Sequence, residues 1–362
     1  MMPLLNTKVS QAPRVSVIIL NWNGWKDTIE CLESLYQISY PNYDVIVIDN
    51  GSTDDSIEKI KEFCEGKIIV NSSFFKYSQE NKPIKIVEYT REEAEAGGGK
   101  ESELFGLPSN KRLILIRNEK NYGFAGGNNV GIRYALKALN PDYLLLLNND
   151  TVVDKEFLSE LVKVGEREGK IGAVNPKIYR YDEPKRLQAV YSKVNFSGGR
   201  APVIGQNKID NGQFDFERET GYVFGECFFV KSKVIKDVGL FNPNYFCYWE
   251  EIELCMRIRK KGYRMLYCPK ARIWHKVSRS SGRIIGFKEY YSIRNCIWTV
   301  RKHANLLQKL TFVFYFPLVL AWTAVNNPSP KILKAMIKGV KDGVFSYAGS
   351  EMPRLKFCKP SN

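Results

Sequence analysis

The sequence predicts an α/β protein built on a mostly parallel, doubly wound sheet. Four apolar runs, at 15–20, 45–48, 113–116 and 143–147, are continuous rather than alternating, as strands covered on both faces must be. Helical spacing or helix-start signals follow these runs, giving repeated βα units. The chain has 362 residues, which suits one large α/β domain with an appendage, or two domains.

The first run, VSVIIL, is broken by Asn21–Gly24, after which residues 26–37 place Ile29, Leu32, Leu35 and Tyr36 on one helical face. VIVI at 45–48 ends in DNGSTDDS, rich in N-cap candidates, and predicts a helix near 54–64. Residues 67–112, with AEAGGGKESE inside them, read as a surface insertion, partly flexible. LILI at 113–116 is the third strand; a Gly/Asn-rich loop at 121–131 leads into a helix through Leu139. YLLLL at 143–147 is the fourth strand and ends in Asn148–Asn149–Asp150. Ligands of doubly wound sheets bind at the carboxyl ends of the strands, where 21–24, 49–55 and 148–150 fall.

The second half has another rhythm. Residues 175–222 hold short β-like pieces and many turn residues. A strand is expected at 223–230, a short helix from Ser232 to Gly239, an amphipathic helix from Glu250 to Lys261 and a strand at 264–268. From Phe287 onward the pattern is helical, aromatic and basic. The longest apolar run, 311–325, is 15 residues with Pro317 inside, shorter than the roughly 20 that span a bilayer, so an interfacial or buried helix is expected.

Charge divides the chain. Residues 254–362 carry 22 Lys/Arg against 3 Asp/Glu, whereas residues 1–253 carry 32 against 36. The basic part suits an anionic partner: a membrane surface, nucleic acid or a phosphorylated substrate. Eight cysteines without a CxxC pair exclude a zinc ribbon and argue for reduced thiols. No long apolar stretch marks the first 14 residues as a secretory signal.

Several polar residues sit where chemistry is expected. Asp49, closing a buried strand, suits hydrogen bonds to a base or ribose, or a turn leading to a helix N-cap. Gly123, Gly126 and Gly127 lie in a phosphate-loop-like stretch without the GK[ST] ending, and tight helix–sheet packing would also explain them. Asn148–Asp150 suits a divalent metal held by one carboxylate and phosphates, or a βα turn. Glu250, Glu251 and Glu253 open a helix among aromatics, as a general base in a cleft or as acids favoured by the helix dipole. His275 could ligate a metal, donate to a diphosphate, or be structural.

In order, VSVIILNWNG, VIVIDNGSTDDS, NYGFAGGNNVGI, YLLLLNNDTVVD and GLFNPNYFCYWEEIELCMRIRKKGYRMLYCPKARIWHKVS resemble family 2 glycosyltransferases with the A-type glycosyltransferase fold, especially the rhamnosyltransferase-like branch. The resemblance covers about residues 13–305. It implies an inverting, non-processive hexosyltransferase of cell-surface polysaccharide or glycan biosynthesis. Rhamnose or another hexose would pass from a dTDP-, UDP- or GDP-linked donor to a saccharide or lipid-linked acceptor. Asn21, Trp22, Asp49, Asn50, Gly123, Asn128, Asn149 and Asp150 would contact the donor. Asp150 and His275 would hold Mg²⁺ or Mn²⁺. Glu251, with Glu250 as the alternative, stands where the family has an Asp base. The QxxRW motif of processive members is absent, and their several spanning helices are not expected.

The implied organisation is a catalytic domain at 1–285, with a donor half at 13–152 (insertion 67–112) and an acceptor half at 153–285. A basic, aromatic, helical region at 286–362 would associate with the membrane, placing the enzyme in the cytoplasm, peripherally on the inner face of the cell membrane. A nucleic-acid partner is not expected. The alternatives are an inactive nucleotide-sugar-binding homologue and a nucleic-acid-binding protein using the basic C-terminal region.

Overall fold

The computed structural model describes residues 12–276, 285–326 and 328–346. In chain order, β1 (Val15–Asn21), α1 (Trp25–Leu35), β2 (Tyr43–Asp49), α2 (Ser56–Cys64), β3 (Lys85–Thr90), α3 (Arg91–Ala96), β4 (Arg112–Arg117), α4 (Gly123–Tyr134) and β5 (Tyr143–Asn148) form the first half. They are followed by β6 (Thr151–Val153), α5 (Phe157–Glu166), β7 (Ile171–Arg180), β8 (Leu187–Ala189), β9 (Tyr191–Ser192), β10 (Val203–Ile204) and β11 (Arg218–Glu219). Next come β12 (Cys227–Lys231), α6 (Ser232–Val238), α7 (Glu250–Lys260), β13 (Arg264–His275), α8 (Phe287–His303), α9 (Leu306–Asn326) and α10 (Pro330–Phe345).

The main sheet runs β11-β13-β7-β12-β5-β1-β2-β4-β3, with β6 paired to β13 and β8 to β7. Strands β5, β1, β2, β4 and β3 form parallel pairs in that order, and the unbroken apolar runs of the first four match burial on both faces. β12 enters antiparallel between β5 and β7, so the sheet is mixed in its second half. Val17, Ile18 and Ile19 of β1 and Val45–Ile48 of β2 are fully buried. Register aligns Asn21 with Asp49, and Leu20 with Asn148, so the polar ends of β1, β2 and β5 meet at one edge.

Five local expectations change. The stretch 67–112 is not only surface: it contains β3, an edge strand burying just Val87 and Tyr89, a six-residue alternation weaker than the continuous runs. The Lys82–Glu33 ion pair, both side chains buried, anchors the segment before it. The glycine-rich stretch at 121–131 is helix from Gly123 onward. A Cβ on Gly131 would sit 2.7 Å from Ile18 Cγ2, so small residues let α4 lie flush on β1. The strand expected at 223–230 starts at Cys227, because the residues before it turn into the polar edge. The strand at 264–268 continues past an irregularity to His275.

The fifth concerns 311–325, which lies in a 21-residue helix, long and apolar enough to cross a membrane by length and composition. Its geometry says more. α8 and α10 run parallel: Gly286 abuts Ala335, Tyr290 donates to Asp342 at 2.7 Å, and Trp298 donates to the Ser346 carbonyl at 3.1 Å. The short links at either end oblige α9 to run back from the end of α8 to the start of α10. Phe312 and Phe316 turn inward onto Gly199, while Leu310, Phe314, Leu318 and Trp322 are exposed. The seven cysteines among the described residues are free. The first 11 residues, Cys358 and the end of the basic region lie outside the described residues.

Candidate active site

The site begins with a hydrogen-bonded seam across the carboxyl ends of β1, β2 and β5. Asn21 Nδ2 donates to Asp49 Oδ1 at 2.9 Å and to Ser52 Oγ at 3.1 Å. Thr28 Oγ1 donates to Asn21 Oδ1 at 2.8 Å and accepts from Asn149 Nδ2 at 3.0 Å. Ser52 N–H donates to the second Asp49 oxygen at 3.0 Å. Asn23, with φ 51°, accepts from Thr53 N–H at 2.7 Å and ties the loop after β1 to the loop after β2. Trp22 lies partly exposed in that loop.

Strand pairing builds the second part. β6 pairs with the end of β13 so that Thr151 faces His275, which brings Asp150 beside the imidazole. Asp150 Oδ1 is 3.1 Å from His275 Nε2. Gln188 Nε2 donates to Glu226 Oε1 at 3.1 Å, which leaves Gln188 Oε1 to accept from His275 Nδ1 at 3.0 Å. This fixes the tautomer and leaves Nε2 directed at Asp150. Burial pulls against charge on both partners, yet their mutual attraction lowers the carboxyl pKa and raises that of the imidazole. Lys276 Nζ bridges Asp27 at 2.6 Å and Glu30 at 2.5 Å, and its N–H donates to the Asp150 carbonyl, locking this end of β13 onto α1.

The third part is a carboxylate cluster at the start of α7. Phe246, Tyr248 and Trp249 have φ of 67°, 65° and 71°, a left-handed conformation that bulky residues rarely adopt. Such strain persists only where surrounding structure over-determines it, and it concentrates at functional sites. It delivers Glu250 and Glu251, each with one buried carboxylate oxygen lacking a hydrogen-bond partner. Burial and the neighbouring Glu251 charge push Glu250 well above the usual carboxylate range. Burial raises Glu251 to about 7, with Glu226 adding to the rise and backbone amides of the first turn opposing it. Glu226 therefore acts on the α7 carboxylates and on His275 alike.

Two family models match, "Glycosyltransferase like family 2" over residues 103–293 and "Glycosyl transferase family 2" over residues 16–82. The first alone covers just over half of the chain. The chain belongs to glycosyltransferase family 2. A low-salt glycan biosynthesis hexosyltransferase, Agl10, of Haloferax volcanii is 30% identical over 171 residues, 46% of this chain and 53% of that protein. An N-acetylglucosaminyl-diphospho-decaprenol L-rhamnosyltransferase of Mycobacterium tuberculosis is 26% identical over 155 residues, 39% of this chain and 49% of that protein. The match thus spans about half the length of these relatives. Among solved structures, the mannosyltransferase PcManGT of Pyrobaculum calidifontis, in complex with GDP-Man and Mn²⁺, aligns with a TM-score of 0.52 at 14% identity, covering 93% of this chain and 88% of that one. S. aureus TarS 1–349 in complex with UDP-GlcNAc aligns with a TM-score of 0.54 at 13% identity, covering 91% and 80%. These likenesses establish the fold.

Within this glycosyltransferase fold, the residues expected to touch the donor divide. Trp22, Asn149 and Asp150 stand at the sheet edge. Asp49 is buried, with both oxygens accepting from the protein itself. Asn50 is 1% exposed: it donates to Asn121 and accepts from Asn118 and from Tyr122 N–H, so it clamps the turn before α4. Asn128 donates back to the Phe124 carbonyl. Gly123, at φ 73°, leaves no room for a Cβ against Phe246. Asn50, Gly123 and Asn128 thus also serve as internal supports, because the glycine-rich segment is a packed helix from Gly123 onward.

Gln188, Glu226 and Thr28 went unread in the sequence. Each is a lone polar residue without a motif. The only signal was the Gly225–Glu226 break before an apolar strand. Among the described residues no group of three or more His, Cys, Asp and Glu is arranged to hold a metal. Asp150 with His275 fits a cation that takes its remaining ligands from phosphate and water, the sparse shell Mg²⁺ favours.

Proposed function

We propose that this protein is an inverting, single-addition hexosyltransferase using a nucleotide-sugar donor. The observation that carries the proposal is the pair of buried carboxylates at the strained start of α7, in a fold that also sets Asp150 beside His275 at the carboxyl ends of the strands. Glu251 is the base. It is partly exposed and raised to about 7, whereas Glu250 is 5% exposed and less open to an acceptor hydroxyl. A base is most effective when its pKa lies near the working pH. Glu251 takes the acceptor hydroxyl proton as that oxygen bonds to the anomeric carbon and the carbon–oxygen bond to the nucleoside diphosphate breaks. Asp150 and His275 would hold Mg²⁺ or Mn²⁺, which supplies charge neutralisation to the departing diphosphate. Trp22 and Asn149 line the nucleotide side, while Asn21 and Asp49 hold that edge in shape.

The acceptor is a saccharide on a lipid diphosphate, in glycan biosynthesis. The mycobacterial relative bears the name of an enzyme for such an acceptor, and α9 supplies a membrane contact here. It exposes Phe314, Leu318 and Trp322, and the following α10 exposes Lys331, Lys334, Lys338 and Lys341, apolar and basic groups suited to an anionic leaflet. Both ends of α9 return to helices that belong to the folded domain, so it lies along the membrane plane and does not span. The domain would sit peripherally on the inner face of the membrane.

The test is donor hydrolysis with dTDP-rhamnose, UDP-GlcNAc, UDP-glucose and GDP-mannose, with and without Mn²⁺. Metal-stimulated release from one donor, abolished in Asp150→Ala and strongly reduced in Glu251→Gln when acceptor is present, supports the proposal. Binding of nucleoside diphosphate without turnover of any donor would favour an inactive homologue. No thermal shift with any nucleotide and metal would overturn the donor site itself.

A further inference from the structure

We infer that Arg294 and Asn295 of α8 are positioning residues for the base: together they hold the strained segment that presents Glu250 and Glu251. The inference rests on the proposal that one of these carboxylates is the base. Asn295 Nδ2 donates to the carbonyls of Tyr245 at 2.9 Å, Cys247 at 2.9 Å and Tyr248 at 2.7 Å. Arg294 Nη2 donates to the carbonyls of Asn244 at 2.7 Å and Tyr245 at 2.9 Å. Arg294 Nε donates to Asn295 Oδ1 at 2.9 Å, which fixes the amide so that its N–H groups face the loop. Both residues are buried, Asn295 completely.

Of the five consecutive carbonyls from 244 to 248, four, those of 244, 245, 247 and 248, therefore point at α8. The exception, Phe246, directs its carbonyl to Ala125 N–H of α4 at 3.1 Å. Every peptide plane between 244 and 248 is thus held from outside the segment. This supplies the over-determination that three aromatics at positive φ require. The guanidinium is itself fixed between the rings of Tyr291 at 4.7 Å and Trp298 at 4.3 Å. Without the donors, the segment relaxes toward ordinary negative φ, and the first turn of α7 rotates with it. The seam of Asn21, Thr28, Asp49 and Asn149 shares no hydrogen bond with this clamp, so donor binding is left alone.

The test is Asn295→Asp, nearly the same shape but with oxygen in place of the N–H donors. The expected result is a fall in kcat of about 10–100-fold, the scale on which a misplacement of about 1 Å acts. Donor KM and the thermal shift with nucleoside diphosphate and Mn²⁺ stay within about twofold of the parent. Arg294→Lys, which keeps the charge but loses the Nε–H that orients the amide, is expected to show the same split and serves if Asn295→Asp fails to fold. A folded variant with unchanged kcat, or one whose loss lies wholly in donor KM, would overturn the clamp. Glu251→Gln and Glu250→Gln are measured beside it. Full activity in both would overturn the base assignment instead.

Discussion

Glu253 offers the sharpest test of how α7 is held. Its side chain is fully buried, yet it is ionised between two cations, Arg257 Nη2 at 2.9 Å and Lys302 Nζ at 2.6 Å, with the His303 imidazole Nε2 at 3.2 Å. Burial pushes its pKa up, but the His303 hydrogen bond, the Arg257 charge and hydrogen bond, and the Lys302 hydrogen bond outweigh burial and hold it at about 2, against 4.5 for the free side chain. A carboxyl whose folded pKa is depressed stabilises fully above its unfolded pKa and loses that contribution as pH falls through the folded value. The gap of about 2.5 units corresponds to about 3 kcal/mol at neutral pH, falling to about 2 kcal/mol near pH 3.5. Glu253→Gln keeps the shape and removes the charge. Urea unfolding at pH 7 should show it less stable by about 3 kcal/mol, with the difference from the parent narrowing as pH drops below about 4.5. Taking the difference at each pH cancels the other carboxyls, which titrate in both proteins. A gap independent of pH, or no gap at pH 7, would refute the reasoning.

Three further outcomes follow from particular contacts. Gly131→Val forces a Cβ to within 2.7 Å of Ile18 Cγ2, a branch on a buried strand that cannot swing aside, and should cost about 2–3 kcal/mol in a thermal melt. Asn21→Leu keeps the bulk but removes the amide that partners buried Asp49. It should destabilise by about 2–3 kcal/mol and abolish the thermal shift with nucleoside diphosphate; a retained shift would separate the seam from the donor site. Replacing Phe314, Leu318 and Trp322 together by Ser should abolish sedimentation with anionic vesicles while leaving soluble-donor hydrolysis intact. Binding of the parent should weaken with salt, and a salt-independent interaction that survives the triple change would remove α9 as the docking surface.

How much of this was legible in the sequence depended on how many neighbours each residue signals through. β1, β2, β4 and β5 were plain because burial on both faces demands continuous apolar runs, here short ones bounded by turn residues. β3 was hidden because an edge strand buries one face only, leaving Val87 and Tyr89 as its signal. The glycine-rich stretch misled because its glycines serve closeness to β1, and a helix pressed onto a strand needs small residues as much as a loop needs flexible ones. The 21-residue length of α9 exceeded the apolar run because its first turns, Leu306 to Leu310, mix leucines with Gln308 and Lys309.

The site divides along the same line. Asp150, His275, Glu250 and Glu251 were visible because each stands in a motif of its own, and pairing of β6 with β13 then brought Asp150 and His275 within 3.1 Å. What surrounds and orients them was not visible. Gln188 orients His275 from 87 positions away, and Asn295 holds the Tyr248 carbonyl from 47. Neither has a local pattern, since a single buried amide leaves no periodicity. The strain is equally silent: Phe246, Tyr248 and Trp249 look like core aromatics or sugar-stacking rings, and their positive φ arises only when α8 and α4 grip the intervening carbonyls. The chemistry-bearing side chains can thus be read from short motifs, whereas the groups that set their pKa and direction come from elements far along the chain. This is why α8, expected as part of the C-terminal basic region, also holds the carbonyls of the segment that leads into α7.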